Sequence, residues 1–269
     1  MVSDEAVRFW HAVGDDSREV AGAYLGAGPT AAHVHEDWQF AVPENQSRLS
    51  MGAFRRHLVR ASDVAVVPPF DVHVEGSEAE PPAKWRALYV APAVIARLFQ
   101  GAPGFRSPVV NDPRAAGELR ALLLAGELET MPASELCSAL HGWLEQFLRF
   151  HAHRAAAPGN RPVHRARAYL QARPTQPVSL PDIGAAVGVT TSHLVRSFSR
   201  AIGLPPRSYH TQIRLARAQR LLAEGKPVIR VAYECGFADQ SHLSRRFKES
   251  HGLTPGAFQA QVRGTLNAA

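Results

Sequence analysis

VAYECGFADQSHLSRRFK, residues 231–248, followed by Gly252-Leu253-Thr254-Pro255, decides the fold of the C-terminal half. Val231 and Cys235 stand four apart, on one face of a short helix. Gly236 gives the permissive backbone of a tight turn, and Asp239 is placed to cap the helix that follows. Leu243 and Phe247, again four apart, anchor that second helix to a core. Gln240, Ser241, His242, Arg245 and Lys248 are left on its outer face. The pattern predicts a helix-turn-helix unit over about 228–251.

The same pattern occurs once upstream. Ser192-His193-Leu194-Val195-Arg196-Ser197-Phe198 matches Ser241-His242-Leu243-Ser244-Arg245-Arg246-Phe247, and Gly203-Leu204-Pro205-Pro206 matches Gly252-Leu253-Thr254-Pro255 at the same offset. Ser179 and Asp182 have capping-box spacing. Ile183 and Val187 face inward, Gly188 turns, Thr190 or Thr191 caps, and Leu194 and Phe198 anchor. Ser192, Val195, Arg196 and Arg200 lie outside, so a first unit is predicted over about 180–202. Between the units, Pro205-Pro206 opens a helix at the position where proline is tolerated. That helix runs to about Leu222, a strut of about 26 Å, with Tyr209, Ile213, Ala216 and Leu221 as its apolar set. Arg207, Arg214, Arg217 and Arg220 are expected mostly on its other faces. Such a strut can hold two recognition helices near one DNA turn apart, about 34 Å.

These residues give 163–261 a close resemblance to the DNA-binding domain of the AraC/XylS family. The resemblance implies two helix-turn-helix units joined by a long helix, double-stranded promoter DNA as partner, and an activator that contacts RNA polymerase. Base reading is implied for Ser192, Val195 and Arg196 in the first recognition helix and for Gln240, Ser241, His242 and Arg245 in the second. Arg200 and Lys248 extend the same outer faces. Arginine suits guanine and glutamine suits adenine; the alternative for each arginine is a phosphate contact that positions without specifying. One departure is Gly184, where the family usually has Ala. Glycine there loosens the helix by up to about 1 kcal/mol, which would make the first unit the softer reader.

Charge divides the chain in the same place. Residues 161–269 hold 16 Lys and Arg against 5 Asp and Glu; the first 160 hold 14 against 19. A basic half beside an acidic half suggests that one domain meets a polyanion and the other does not. Two domains are expected: a sensor over 1–155 and a DNA-binding domain over 163–264, joined by the Pro- and Gly-containing stretch Ala152–Pro162. Cys137 and Cys235 have no CxxC neighbour, and no apolar run reaches about 18 residues. The acidic start Met1–Glu5 is unlike a secretory signal. Together these point to a cytoplasmic protein with no membrane partner.

Residues 1–90 read as short strands over Val34–Val42, Ser47–Met51, Arg55–Val59 and Val64–Val67, suggesting a sandwich or barrel. Helices follow over about 112–153. In the clearest, Ala133–His151, the residues Leu136, Leu140, Trp143, Phe147 and Phe150 form an a/d seam. That seam either packs on its own barrel or forms a homodimer contact. Ala32–Phe40 and Ser62–His73 resemble, less closely, the two motifs of a cupin-like ligand-binding barrel. His33, His35 and His73 keep the family's histidine positions, Gln39 falls about where a Glu would be, and Phe70 replaces a Gly. Residues two apart on a strand point the same way, so His33 and His35 share a face, with His73 arriving from a neighbouring strand. Three histidines can bind zinc or another divalent metal and leave a position open. Alternatively they hydrogen-bond a small organic effector or serve structure alone. Trp38, Trp85 and Tyr89 are candidate pocket walls or plain core. No nucleophile spacing or phosphate loop stands out, so the reading is a mixed fold, a cupin-like barrel with helical appendage followed by an all-α DNA-binding domain. It senses a small-molecule or metal effector and is not an enzyme. A metal-dependent barrel enzyme on a DNA anchor, or a ligand-free architectural protein, are the competing classes.

Overall fold

The computed structural model of the protein describes residues 8–12, 20–25, 31–52, 55–76, 84–155, 159 and 161–266, with side chains between 31 and 262. Met1–Glu5 and part of the expected linker lie outside them. The strands are β1 (Arg8–Ala12), β2 (Val20–Leu25), β3 (Trp38–Pro43), β4 (Ser47–Met51), β5 (Arg55–Val59), β6 (Asp63–Val67), β7 (His73–Glu75), β8 (Trp85–Val90), β9 (Pro103–Gly104), β10 (Val109–Asn111) and β11 (His153–Arg154). A six-stranded sheet has the order β1-β2-β8-β3-β6-β10, and a three-stranded sheet has the order β5-β4-β7. Every pairing in both is antiparallel. The expected barrel is thus realised as two sheets; no closed ring of strands forms among the described residues.

Side-chain alternation divides the large sheet into two buried faces. Ala41, Ala65, Val67, Trp85 and Ala87 meet Leu49 and Val59 of the small sheet. The opposite set, Trp38, Phe40, Val42, Val64, Val66, Leu88 and Val90, packs under helices α1 (Pro92–Phe99), α2 (Pro113–Glu127) and α3 (Ala133–His151). Asp112 caps α2 through Ala115 N at 3.0 Å, and the Trp143 indole N–H donates to Ala115 O at 2.9 Å, tying α3 to α2. Leu136, Leu140, Trp143 and Phe147 are buried on their own sheet domain, whereas Phe150, expected to continue the seam, is 74% exposed. The strand expected over Val34–Val42 begins only at Trp38, because the chain bends at Glu36-Asp37. The expected linker also starts later than Ala152: β11 pairs with β9, Arg154 opposite Pro103.

The C-terminal half is helical: α4 (Pro162–Gln171), α5 (Leu180–Val187), α6 (Thr191–Ile202), α7 (Pro206–Ala223), α8 (Val228–Glu234), α9 (Gln240–His251) and α10 (Pro255–Leu266). The caps are those the sequence dictates. Ser179 accepts from Asp182 N at 3.2 Å, Thr190 from His193 N at 3.3 Å, and Asp239 from His242 N at 2.7 Å. Gly188 and Gly236 turn with φ of 73° and 75°. Two apolar cores result. Ile183, Val187, Leu194, Phe198, Tyr209, Ile213 and Ala216 form the first. Leu215, Leu221, Leu222, Val231, Cys235, Leu243, Phe247 and Phe258 form the second. The strut α7 feeds both from different faces.

Candidate functional site

On the reader side, the anchoring pairs Leu194/Phe198 and Leu243/Phe247 are buried, which turns the rest of α6 and α9 outward. Ser192, Arg196, Arg200, Gln240, Ser241, Arg245 and Lys248 are exposed, and Val195 and His242 are half-buried. His242 leans edge-on against Phe237, with ring centroids 5.4 Å apart. Two outward, cation-bearing helix faces at the two ends of an 18-residue strut are the arrangement that two adjacent major-groove contacts require.

On the sensor side, the chain folds His33, His35 and His73 together. His33 and His73 form an isolated antiparallel bridge, each amide donating to the other's carbonyl at 3.1 Å. Their rings lie 4.2 Å apart, and His35 and His73 4.8 Å apart. Gln39 and Tyr89 line the same place: the Gln39 amide donates to Glu75 Oε1 at 2.5 Å and to the Tyr89 hydroxyl at 3.4 Å. Glu75 is the residue that sequence reading missed. It puts a carboxylate beside Gln39, and its signal was the His73-x-Glu75 alternation on β7. Two of the expected pocket walls go elsewhere. Trp38 faces the helix layer, stacked on Phe40 at 6.5 Å. Trp85 fills the apolar core between the sheets.

Burial controls the protonation of this cluster. It lowers His33 to about 4, with the His35 charge as second cause. Burial also lowers His35, and it lowers His73 strongly, with His33 and His35 adding to the effect. It raises the Glu75 carboxyl to about 7 against the opposing Gln39 hydrogen bond. His33 and His73 are therefore neutral. In His33 and His73, Nδ1 faces a backbone carbonyl, Ala31 at 2.9 Å and Asp71 at 3.0 Å. An N–H must sit there, which leaves each Nε2 as a lone pair. His73 Nε2 is buried with no hydrogen-bond partner among the described residues. His33, His73 and Glu75 bring one ligand atom each within 4.8 Å of one another. His35 differs from the expected metal set. Its Nδ1 faces Asp37 O at 2.6 Å and its Nε2 faces Gln39 Oε1 at 2.9 Å. It is committed to positioning Gln39, and Glu75 takes its place in the compact donor set.

The two sites touch. His33, His35 and His73 point into the cluster. Val34 and Val72, from the other side of the same backbone, are buried in the core of the first helix-turn-helix unit. Around them Arg167 of α4 donates to Asp71 at 2.5 Å and to Pro69 O at 3.3 Å. The Tyr209 hydroxyl donates to Phe70 O at 3.1 Å, and Arg220 donates to Glu36 at 2.8 Å. Phe70 holds φ of 61°, a left-handed conformation that a bulky side chain rarely adopts.

Comparison with known proteins agrees with this division. The AraC-like ligand binding domain model matches residues 29–145, and a helix-turn-helix domain model matches 183–261. The chain is 25% identical over 225 residues to the HTH-type transcriptional regulator YbfI of Bacillus subtilis (strain 168), covering 78% of this chain and 79% of that protein. In fold it is similar to an apo ToxT variant from Vibrio cholerae strain SCE256, with a TM-score of 0.62 at 13% identity over 93% of this chain and 100% of that one. It is also similar to unsaturated fatty acid bound wild-type ToxT from the same strain, with a TM-score of 0.58 at 12% identity over 96% of each chain. No helix among the described residues is long and apolar enough to cross a membrane.

Proposed function

Starting from a chain that belongs to the AraC family of DNA-binding transcription regulators, we propose that its effector is a divalent transition-metal cation, zinc being the simplest case. His33, His73 and Glu75 would hold it. Two neutral imidazoles and a carboxylate are a donor set suited to such an ion, with coordination positions left open. Imidazoles already oriented by second hydrogen bonds supply the outer support that metal ligands need. The observation that carries the reading is the 4.8 Å clustering of the donor atoms, with rings 4.2 Å apart, a space on the scale of an ion. When bound, the cation would draw Glu75 to its charged form and fix the two rings. The protein's own part is transmission. Any shift of the His33–His73 bridge moves Val34 and Val72 inside the reader's core, so docked and undocked arrangements would hold the ion differently, as linkage demands.

In this reading Arg196, Arg245 and Gln240 read bases, while Arg200 and Lys248 neutralise phosphates. Arg245→Ala should weaken specific binding by about 1–3 kcal/mol and relax preference at one or two base pairs, measured by binding to a randomised duplex pool. Uniform loss over all sequences would reduce Arg245 to a phosphate contact. We assign the protein to the cytoplasm as a homodimeric activator that contacts RNA polymerase, as the family resemblance implies. The exposed Phe150 near the end of α3 would lie in the dimer face.

The deciding experiment is metal content of tag-free protein by mass spectrometry, beside a His33→Ala, Glu75→Gln double variant. About one metal per chain, lost in the variant, with DNA affinity altered by chelation, is the expected result. If no divalent metal is retained or taken up on titration, the proposal fails, and a screen of organic ligands scored by thermal shift takes its place.

A further inference from the structure

We infer that Arg214 is the positioning residue that fixes the distance and angle between the two recognition helices, and so the half-site spacing this protein accepts. The two units have separate apolar cores. Apolar packing therefore fixes each unit internally and leaves their mutual angle to α7 and to whatever fills the seam beside it.

Arg214 fills that seam. Its Nε donates to Pro174 O at 3.1 Å and its Nη2 to Gln176 O at 3.0 Å. Both carbonyls belong to the segment that leads from α4 into the first unit. Its Nη1 donates to Gly236 O at 2.9 Å, in the turn of the second unit. One planar fork thus grips both units from the strut between them. Guanidinium geometry is fixed, with donors on three separate atoms. A lysine ammonium carries its donors on one atom and cannot reproduce the spread.

The backbone contact beside it is equally close. A Cβ on Gly236, whose φ is +75°, would come 2.6 Å from Thr175 O and 3.3 Å from Thr175 C. The turn of one unit rests directly on the entry loop of the other, and only glycine permits that approach.

The test uses the full chain and a bipartite duplex selected by the wild type from a random pool, compared with the same duplex carrying one extra base pair between its half-sites. Wild type should lose about 30-fold or more on the insertion, since the second helix meets displaced base edges. Arg214→Ala should lose less than about threefold on the same insertion, its units being free to follow the DNA, while its affinity for a duplex with a single half-site stays within about twofold of wild type. Arg214→Lys should fall between. Circular dichroism and thermal melting confirm that each variant is folded; if Arg214→Ala is not, Arg214→Lys and Gly236→Ala carry the test. Gly236→Ala should shift the preferred spacing by pushing the two units apart. A folded variant of any of these that keeps the full wild-type spacing penalty overturns the inference.

Discussion

Asp71→Asn should loosen the grip between sensor and reader without unfolding either. The Asp71 carboxylate accepts from Arg167 Nη2 at 2.5 Å, and the two side chains retain 26% (Arg167) and 31% (Asp71) exposure. A hydrogen bond to a charged partner contributes about 1.5–3 kcal/mol. Partial exposure screens this pair, leaving about 1–2 kcal/mol, or about 5- to 30-fold in the docking equilibrium. Arg167 keeps its bonds to Pro69 O and the Tyr209 hydroxyl at 3.3 and 3.2 Å, so the guanidinium is not stranded. Dyes on Arg56→Cys and Ser241→Cys, both exposed, report docking by energy transfer, since Cys137 and Cys235 are buried. In a urea titration the energy-transfer midpoint should fall in Asp71→Asn while the helical circular dichroism midpoint holds. A cycle with Arg167→Met isolates the pair. An unmoved energy-transfer midpoint together with additive single variants would refute the claim that this ion pair joins the domains.

Gly184→Ala should destabilise by about 1–3 kcal/mol despite the better helix propensity, because a Cβ there would lie 2.7 Å from Val189 O; a higher melting temperature would contradict the packing argument. Phe150→Glu should convert a dimer to a monomer by light scattering while leaving the melting temperature within about 2 °C, given its 74% exposure; an unchanged mass would place the dimer face elsewhere. His251 stacks on Phe247 at 4.2 Å, and burial, then the neighbouring His33, lowers it to about 3. A lowered pKa means stability present above the unfolded value near 6.5 and lost as pH falls towards 3. Between pH 7.5 and 5, wild type should therefore lose about 2 kcal/mol more than His251→Leu; equal slopes in urea melts at the two pH values would dismiss it.

The reader was legible because its signals are local. Ser179, Thr190 and Asp239 cap within three residues, and Leu194/Phe198 and Leu243/Phe247 anchor within four, so spacing alone placed α5 to α9. The sensor site was half legible. Strand β3 is buried on both faces, so alternation carries no polarity signal, and nothing local tells that Trp38 faces the helices while Gln39 faces the histidines. Glu75 escaped because its partner Gln39 lies 36 residues away. Phe150 follows the same heptad step as Phe147, yet it is left uncovered. Arg214 reads as one of several solvated arginines on a helix; its three carbonyl partners come from segments 22 to 40 residues distant. The same holds for Gly184, whose conflict with Val189 is a matter of close approach rather than helix propensity.

The polar contacts and ion pairs described between the halves rise from two short stretches of the sensor, Glu36 on one and Pro69, Phe70 and Asp71 on the other, with Val34 and Val72 beside them. For protein engineering this defines a graft boundary. A chimera that gives this reader a foreign sensor needs segments equivalent to 31–37 and 68–73 carried over as a pair, with the left-handed residue at position 70 preserved. Strand β1 also lies against α10 and goes with them; the remaining strands of the two sheets can then be exchanged as cargo.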